Sequence, residues 1–103
     1  MATPLELSTR AGADGIPVVT VAGEIDMSNA GRFRDALGLA AAAVSGGGGS
    51  FVVDLTGVEY LDSAGVHALF AHASRIRLIA GPLLEPVLTV SGLSGITSAG
   101  EPQ

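Results

Sequence analysis

A chain of 103 residues, 48% hydrophobic and with a mean hydropathy of +0.52, has material for one compact core and one domain spanning residues 1–103. Ten acidic residues against five basic ones leave a net charge of -5, which gives no footprint for gripping nucleic acid or an anionic membrane. The absence of cysteine excludes disulfide frameworks and thiolate metal sites, and it is compatible with a reducing cytoplasm.

The amino terminus, MATPLELSTR, has no basic segment followed by an apolar core, and no apolar run approaches the roughly 20 residues that span a bilayer. The expectation is a soluble, unprocessed, cytoplasmic chain. Leu5, Leu7 and Thr9 alternate with polar neighbours, AGADG supplies turn residues, and IPVVTVAGEI is β-branched, so residues 4–25 read as two paired strands. From Ser28, expected as an N-cap, apolar residues recur at Ala30, Phe33, Leu37, Ala40, Ala41 and Val44. That is the spacing of an amphipathic helix, with Arg32, Arg34 and Asp35 turned outward.

SGGGGS at 45–50 reads as a loop inside the domain, because glycine loses most backbone freedom on ordering. FVVDL at 51–55 reads as a strand covered on both faces, after which TGVEYLD turns into a second helix from about Ser63 with Val66, Leu69, Phe70 and Ala73 inward. RIRLIA at 75–80 alternates as a strand does, and Gly81-Pro82 opens a weaker third helix through Val90. Beyond Ile96 the pattern fades. Strand–helix–strand alternation favours a mainly parallel sheet whose sites gather where strands end and helices begin. The junction after Leu55, with Asp54, Asp62 and Ser63, is the expected place.

Ser63 admits three readings. An Asp-Ser pair before a helix ordinarily accepts hydrogen bonds from first-turn amides. A nucleophile needs an activating base, but LDSAG has Leu61 where the G-x-S-x-G elbow needs glycine, and His67, four residues on, lacks an orienting third residue. His67 and His72 are five apart, about 140° around a helix, which excludes a shared zinc. As a phosphate acceptor, Ser63 gains about −1.5 to −2 charges that Asp62, Asp54 and Asp26 are expected to confront, so a partner fitted to the neutral serine is repelled: a binding switch.

VAGEIDMSNAGRFRDAL followed by FVVDLTGVEYLDSAGVHALF resembles the STAS domain of sulfate transporters and bacterial anti-sigma factor antagonists. The resemblance covers about residues 4–93 and rests on Gly23-Glu24-Ile25-Asp26, Val53-Asp54-Leu55, Asp62-Ser63-Ala64-Gly65 and VLTVSGL at 87–93. It implies an α/β fold with a mixed, mainly parallel four- to five-stranded sheet, an N-terminal β-hairpin and helices packed on it.

The resemblance also implies a protein without an active site or cofactor. Such an antagonist captures an anti-sigma factor that is also a serine kinase of the histidine-kinase-like ATPase fold. Phosphorylation of the serine at the place of Ser63 ends the capture, and a metal-dependent PP2C-type phosphatase restores it. By the same resemblance the contact surface comprises Asp26, Asp62, Ser63, Ala64 and Gly65. Asp54 either supports that surface or hydrogen-bonds the following loop, and Gly57 and Gly65 serve backbone geometry.

Three departures from the family pattern bear on regulation. The second helix is expected to be short, because AHASRIRLIAG passes almost at once to a strand. Pro86 falls inside the third helix, so its regular turns are expected from Glu85 or Pro86. The tail ITSAGEPQ lacks the family's last strand and closing helix, which points to a monomer or weak homodimer with part of the sheet uncovered. Two alternatives remain open at this point: a STAS subunit of an ABC transporter or sensory complex acting by docking alone, and a serine hydrolase. A nucleotide cradle is not among them, since no G-x-x-x-x-G-K-[ST] loop exists and SGGGGS lacks the lysine.

Overall fold

The computed structural model describes residues 4–12, 15–44, 50–82, 84 and 86. Strands β1 (Glu6–Ala11) and β2 (Pro17–Ile25) form the expected antiparallel hairpin, registered from Glu6 opposite Ala22 to Ala11 opposite Pro17. The Gly15 amide donates to the Gly12 carbonyl at 2.9 Å, and Gly15 takes φ +84°, a left-handed conformation that glycine reaches without steric cost.

Helix α1 (Ala30–Ala43) buries Ala30, Phe33, Leu37, Ala40 and Ala41 and leaves Arg32, Arg34 and Asp35 exposed, the stripe its three-and-four spacing predicts. Its start differs. Asn29 occupies the N-cap position and makes no capping side-chain bond there, while Ser28 is held in the preceding loop by Asp26.

Strand β3 (Phe51–Leu61) runs parallel to β2, helix α2 (Ser63–Phe70) follows, and after a 3-10 turn at Ala73–Arg75 strand β4 (Ile76–Ile79) runs parallel to β3. The sheet order is β1-β2-β3-β4. This is the mixed, mainly parallel sheet with an N-terminal hairpin that the sequence predicts. Alternate strand residues Val19, Val21 and Ile25 of β2 and Phe51, Val53 and Leu55 of β3 are sealed in a core shared with Phe33, Leu37 and Leu69. The alternating residues Val18, Thr20, Ala22 and Glu24 of β2 and Val52 and Asp54 of β3 stay half-buried on the other face.

Two expectations are corrected. The third strand does not end at Leu55 but continues to Leu61, because register shifts between Thr20 and Ala22 and between Gly23 and Glu24 let β3 carry extra residues and still pair with β2. In α2 the buried residues are Gly65, Ala68 and Leu69, with Val66 half-buried and Phe70 48% exposed, so the inward stripe is rotated away from Phe70. Ala73 lies outside the helix, in the 3-10 turn. The second helix is short, at eight residues. Pro86 is helical and exposed. Most of the expected third helix, the SGGGGS loop apart from Ser50, and the tail beyond Ile96 lie outside the described residues.

Candidate functional site

Parallel strands deliver their carboxyl ends side by side. Ile25 of β2 stands opposite Leu61 of β3, so Asp26 and Asp62, the next residues of each strand, leave the sheet as neighbours. The Asp62 amide donates to the Ile25 carbonyl at 3.1 Å, which extends the ladder by one bond and ties the two exits together.

Asp62 is the N-cap of α2, with extended backbone at φ −94° and ψ −175°. Its Oδ1 accepts from the amides of Ala64 at 2.9 Å and Gly65 at 3.3 Å, and its carbonyl accepts from Val66 at 3.1 Å. The two carboxylate bonds satisfy amides that a helix start leaves without intrahelical partners, and the carbonyl bond is the first rung of the helix. Ser63 is therefore released from capping. It is the first helical residue, and its side chain is exposed.

Asp26 organises the other exit. Its Oδ1 accepts from the Ser28 hydroxyl at 2.6 Å and the Ser28 amide at 2.9 Å, and its carbonyl accepts from Asn29 and Ala30. Asn29 closes the loop through Oδ1, which accepts from the Asp26 amide at 3.0 Å, and through Nδ2, which donates to the Glu24 carbonyl at 2.9 Å. The Ser28 hydroxyl first, and the Ser28 amide next, hold the Asp26 carboxyl below the usual carboxylate range, because both bonds favour the charged form. The D-x-S-N spacing is an Asx-turn signal that assigning Ser28 as a helix cap overlooks.

The remaining expected residues divide. Ala64 is half-buried, and Gly65 is buried beneath the surface: a side chain there would collide with Leu61 Cδ1 and come within 2.9 Å of Ile25 Cγ2. Gly65 thus lets α2 sit down on the ends of β2 and β3 instead of facing outward. Asp54 does not join the cluster. It lies within β3, opposite Thr20 and Ile79, and stands eight residues before Asp62. Its Oδ1 accepts from the Thr56 amide at 3.0 Å and hydroxyl at 2.7 Å, which folds the chain at the bulge.

Met27, 82% exposed in the Asp26 loop, is a surface residue that the periodicity of the chain did not single out. His72 packs edge-on against Phe51, with ring centroids 6.1 Å apart, whereas His67 is exposed on α2. Among the described residues no group of His, Asp and Glu side chains is arranged to hold a metal ion, and no helix is long and apolar enough to cross a membrane.

The family model described as "Mlab, STAS domain" matches residues 8–98. The chain belongs to the STAS domain family. A solved anti-sigma factor antagonist from Mycobacterium paratuberculosis is 28% identical, with a TM-score of 0.79 over 93% of this chain and 85% of that one. The anti-sigma factor antagonist SpoIIAA in its unphosphorylated form shares the fold at 21% identity and a TM-score of 0.68, covering 93% of this STAS chain and 89% of its own. An uncharacterized protein from Shewanella loihica with a SpoIIAA-like fold aligns at 14% identity and a TM-score of 0.60, over 98% of this chain and 89% of that one. No curated protein matches.

Proposed function

We propose that this STAS chain is an anti-sigma factor antagonist switched by phosphorylation at Ser63. Unmodified, it captures an anti-sigma factor that is also a serine kinase of the histidine-kinase-like ATPase fold; a phosphate on Ser63 ends the capture, and a PP2C-type phosphatase restores it. The observation that carries this reading is the exposed Ser63 hydroxyl on the first residue of α2, free of the cap that Asp62 supplies and close to the Asp26 loop. A kinase can reach it. The likeness to an antagonist at 28% identity supports the partner class.

The same geometry sets the charge at this surface. Asp62 and Asp26 already make the two strand exits anionic, and a phosphoryl group adds about −1.5 to −2 more at their side. A partner surface that accommodates two carboxylates and a hydroxyl must then meet close to twice that charge. Like charges brought together across an interface cost several kcal/mol.

The test is incubation with ATP and candidate cognate kinases, followed by mapping of the phosphate by mass spectrometry. Modification at Ser63 is expected, and robust modification elsewhere with Ser63 untouched counts against the proposal. Ser63→Ala should bind the anti-sigma factor constitutively, and Ser63→Asp at least about tenfold more weakly. Equal affinities remove the switch.

Docking without a switch, as a STAS subunit of an ABC transporter or sensory complex, is distinguished by co-purification of an ABC ATPase in place of a kinase. A hydrolase has less support. No non-glycine residue among those described has positive φ, so Ser63 does not sit on the strained elbow that presents a nucleophilic serine.

A further inference from the structure

We infer that His67 is the intramolecular partner of the phosphate on Ser63, a contact that exists only in the modified protein and that partly offsets the charge added there. The inference rests on the phosphorylation reading above and deepens it. Ser63 and His67 stand four residues apart on α2, and both are exposed. Residues i and i+4 are neighbours on a helix surface, and an anion placed N-terminal to a cation is the favourable order.

The cap explains why a side chain is needed. In many helix starts an added phosphate takes the free first-turn amides. Here the Asp62 carboxylate accepts from the Ala64 and Gly65 amides and the Asp62 carbonyl from the Val66 amide, so those donors are already committed. A phosphate on Ser63 meets two carboxylates and finds the Ala64 and Gly65 amides already bonded to Asp62. His67 is the one residue of α2 that can carry a positive charge, and it falls in the helix's last turn, where the macrodipole favours a cation.

The elements packed against α2 are α1, β3 and, at Gly65, the end of β2. Their charged side chains are Arg32, Arg34 and Asp35 on α1, all exposed, Asp54 and Glu59 on β3 and Glu24 on β2, with Tyr60 as a further titratable group. Asp26 and Asp62 complete the surroundings. Within this set His67 alone shares α2 with Ser63, one helical turn away and equally exposed.

The chain has two histidines, and the second serves as an internal control, since His72 is packed edge-on to Phe51. The experiment uses the full chain with phosphoserine incorporated at position 63 during translation, so it depends on no kinase. Ring resonances of both histidines are followed by NMR from pH 5 to 9 in modified and unmodified protein. The His67 midpoint should rise by about half a unit on modification while that of His72 holds, the size expected of a helical ion pair with a doubly charged partner.

In His67→Gln, the second ionisation of the phosphate, read by phosphorus NMR, should move to higher pH. A His67 midpoint that moves no more than that of His72, or a phosphate titration identical in His67→Gln, overturns the inference. Capture of the anti-sigma factor, measured on the same samples, separates the two readings. Loss of capture with His67 unmoved sinks the histidine contact and leaves the switch, and retained capture with His67 shifted does the reverse.

Discussion

Asp62 has a structural task and a surface task that a truncation merges. Its carboxylate caps α2 through Ala64 and Gly65, and it also lends negative charge to the strand exits. Asp62→Ala should lose about 1 kcal/mol of stability, the usual cost of removing an N-cap, whereas Asp62→Asn keeps an acceptor at the same place and should stay within about 0.5 kcal/mol of the parent. Urea unfolding measures both. If partner binding falls equally in the two variants, the charge is what the partner reads; if only Ala weakens it, the cap geometry matters more. Asp26 gives a separate test by pH. Its carboxyl is held below 3.8 by Ser28, so the stability it contributes is present above the unfolded value and is lost as pH falls through the lowered folded one, a window below about pH 4. Ser28→Ala removes the hydroxyl bond and should raise the Asp26 midpoint, as read by carboxyl NMR. An unmoved midpoint contradicts that assignment of cause.

How legible each element was depended on how local its signal is. The stripe of α1 could be read directly, because Phe33, Leu37, Ala40 and Ala41 recur at helical spacing in a 14-residue helix whose charged residues, Arg32, Arg34 and Asp35, all lie off the stripe. In α2, eight residues long and apolar almost all round, the stripe is too short to fix its own phase. Packing decided it: Gly65 must lie against Leu61 and Ile25, which turns Phe70 outward. Gly65→Ala consequently sets two effects against each other. Alanine gains up to about 1 kcal/mol of helix propensity, but a methyl among side chains that are 6% and 0% exposed has no room, and overpacking costs about 1–3 kcal/mol. The balance should be a net loss, seen as a lower unfolding midpoint. The end of β3 was misread for a related reason. Thr56-Gly57 looks like a turn locally, and only the partner strand β2 shows it to be a bulge with Asp54 folded onto Thr56.

The cap at the far end of α1 had no local signal at all. Arg75, which follows α2 in the 3-10 turn, donates through Nη2 to the carbonyls of Ala41 at 3.1 Å and Val44 at 3.3 Å, 34 and 31 residues earlier in the chain. These bonds join the end of one helix to the segment that follows the other, and a guanidinium there also meets the negative end of the α1 dipole. Arg75→Ala should cost about 1–2 kcal/mol, in line with hydrogen bonds from a charged donor, and should speed amide exchange in the last turn of α1 before it affects the first turn. Uniform acceleration along the helix would assign Arg75 a global role in place of a cap.

Across the molecule, the modified site and the core are separable. The sealed side chains, among them Phe33, Phe51, Leu55 and Leu69, lie beneath the helices, and Ser63 faces solvent from the helix surface above them. Phosphorylation takes the net charge from -5 towards about −7, yet it removes no core contact and leaves the Asp62 cap in place. Thermal unfolding of the phosphorylated chain should therefore fall within a few degrees of the unmodified one, while anti-sigma factor capture drops by tenfold or more. Salt separates the causes: if charge is what ends the capture, raising ionic strength from 0.05 to 0.5 M shortens the Debye length about threefold and should recover part of the lost affinity. A phosphorylated chain that unfolds well below the unmodified one, with no recovery in salt, would mean that the modification acts by loosening α2 from the strand ends and not by repelling the partner.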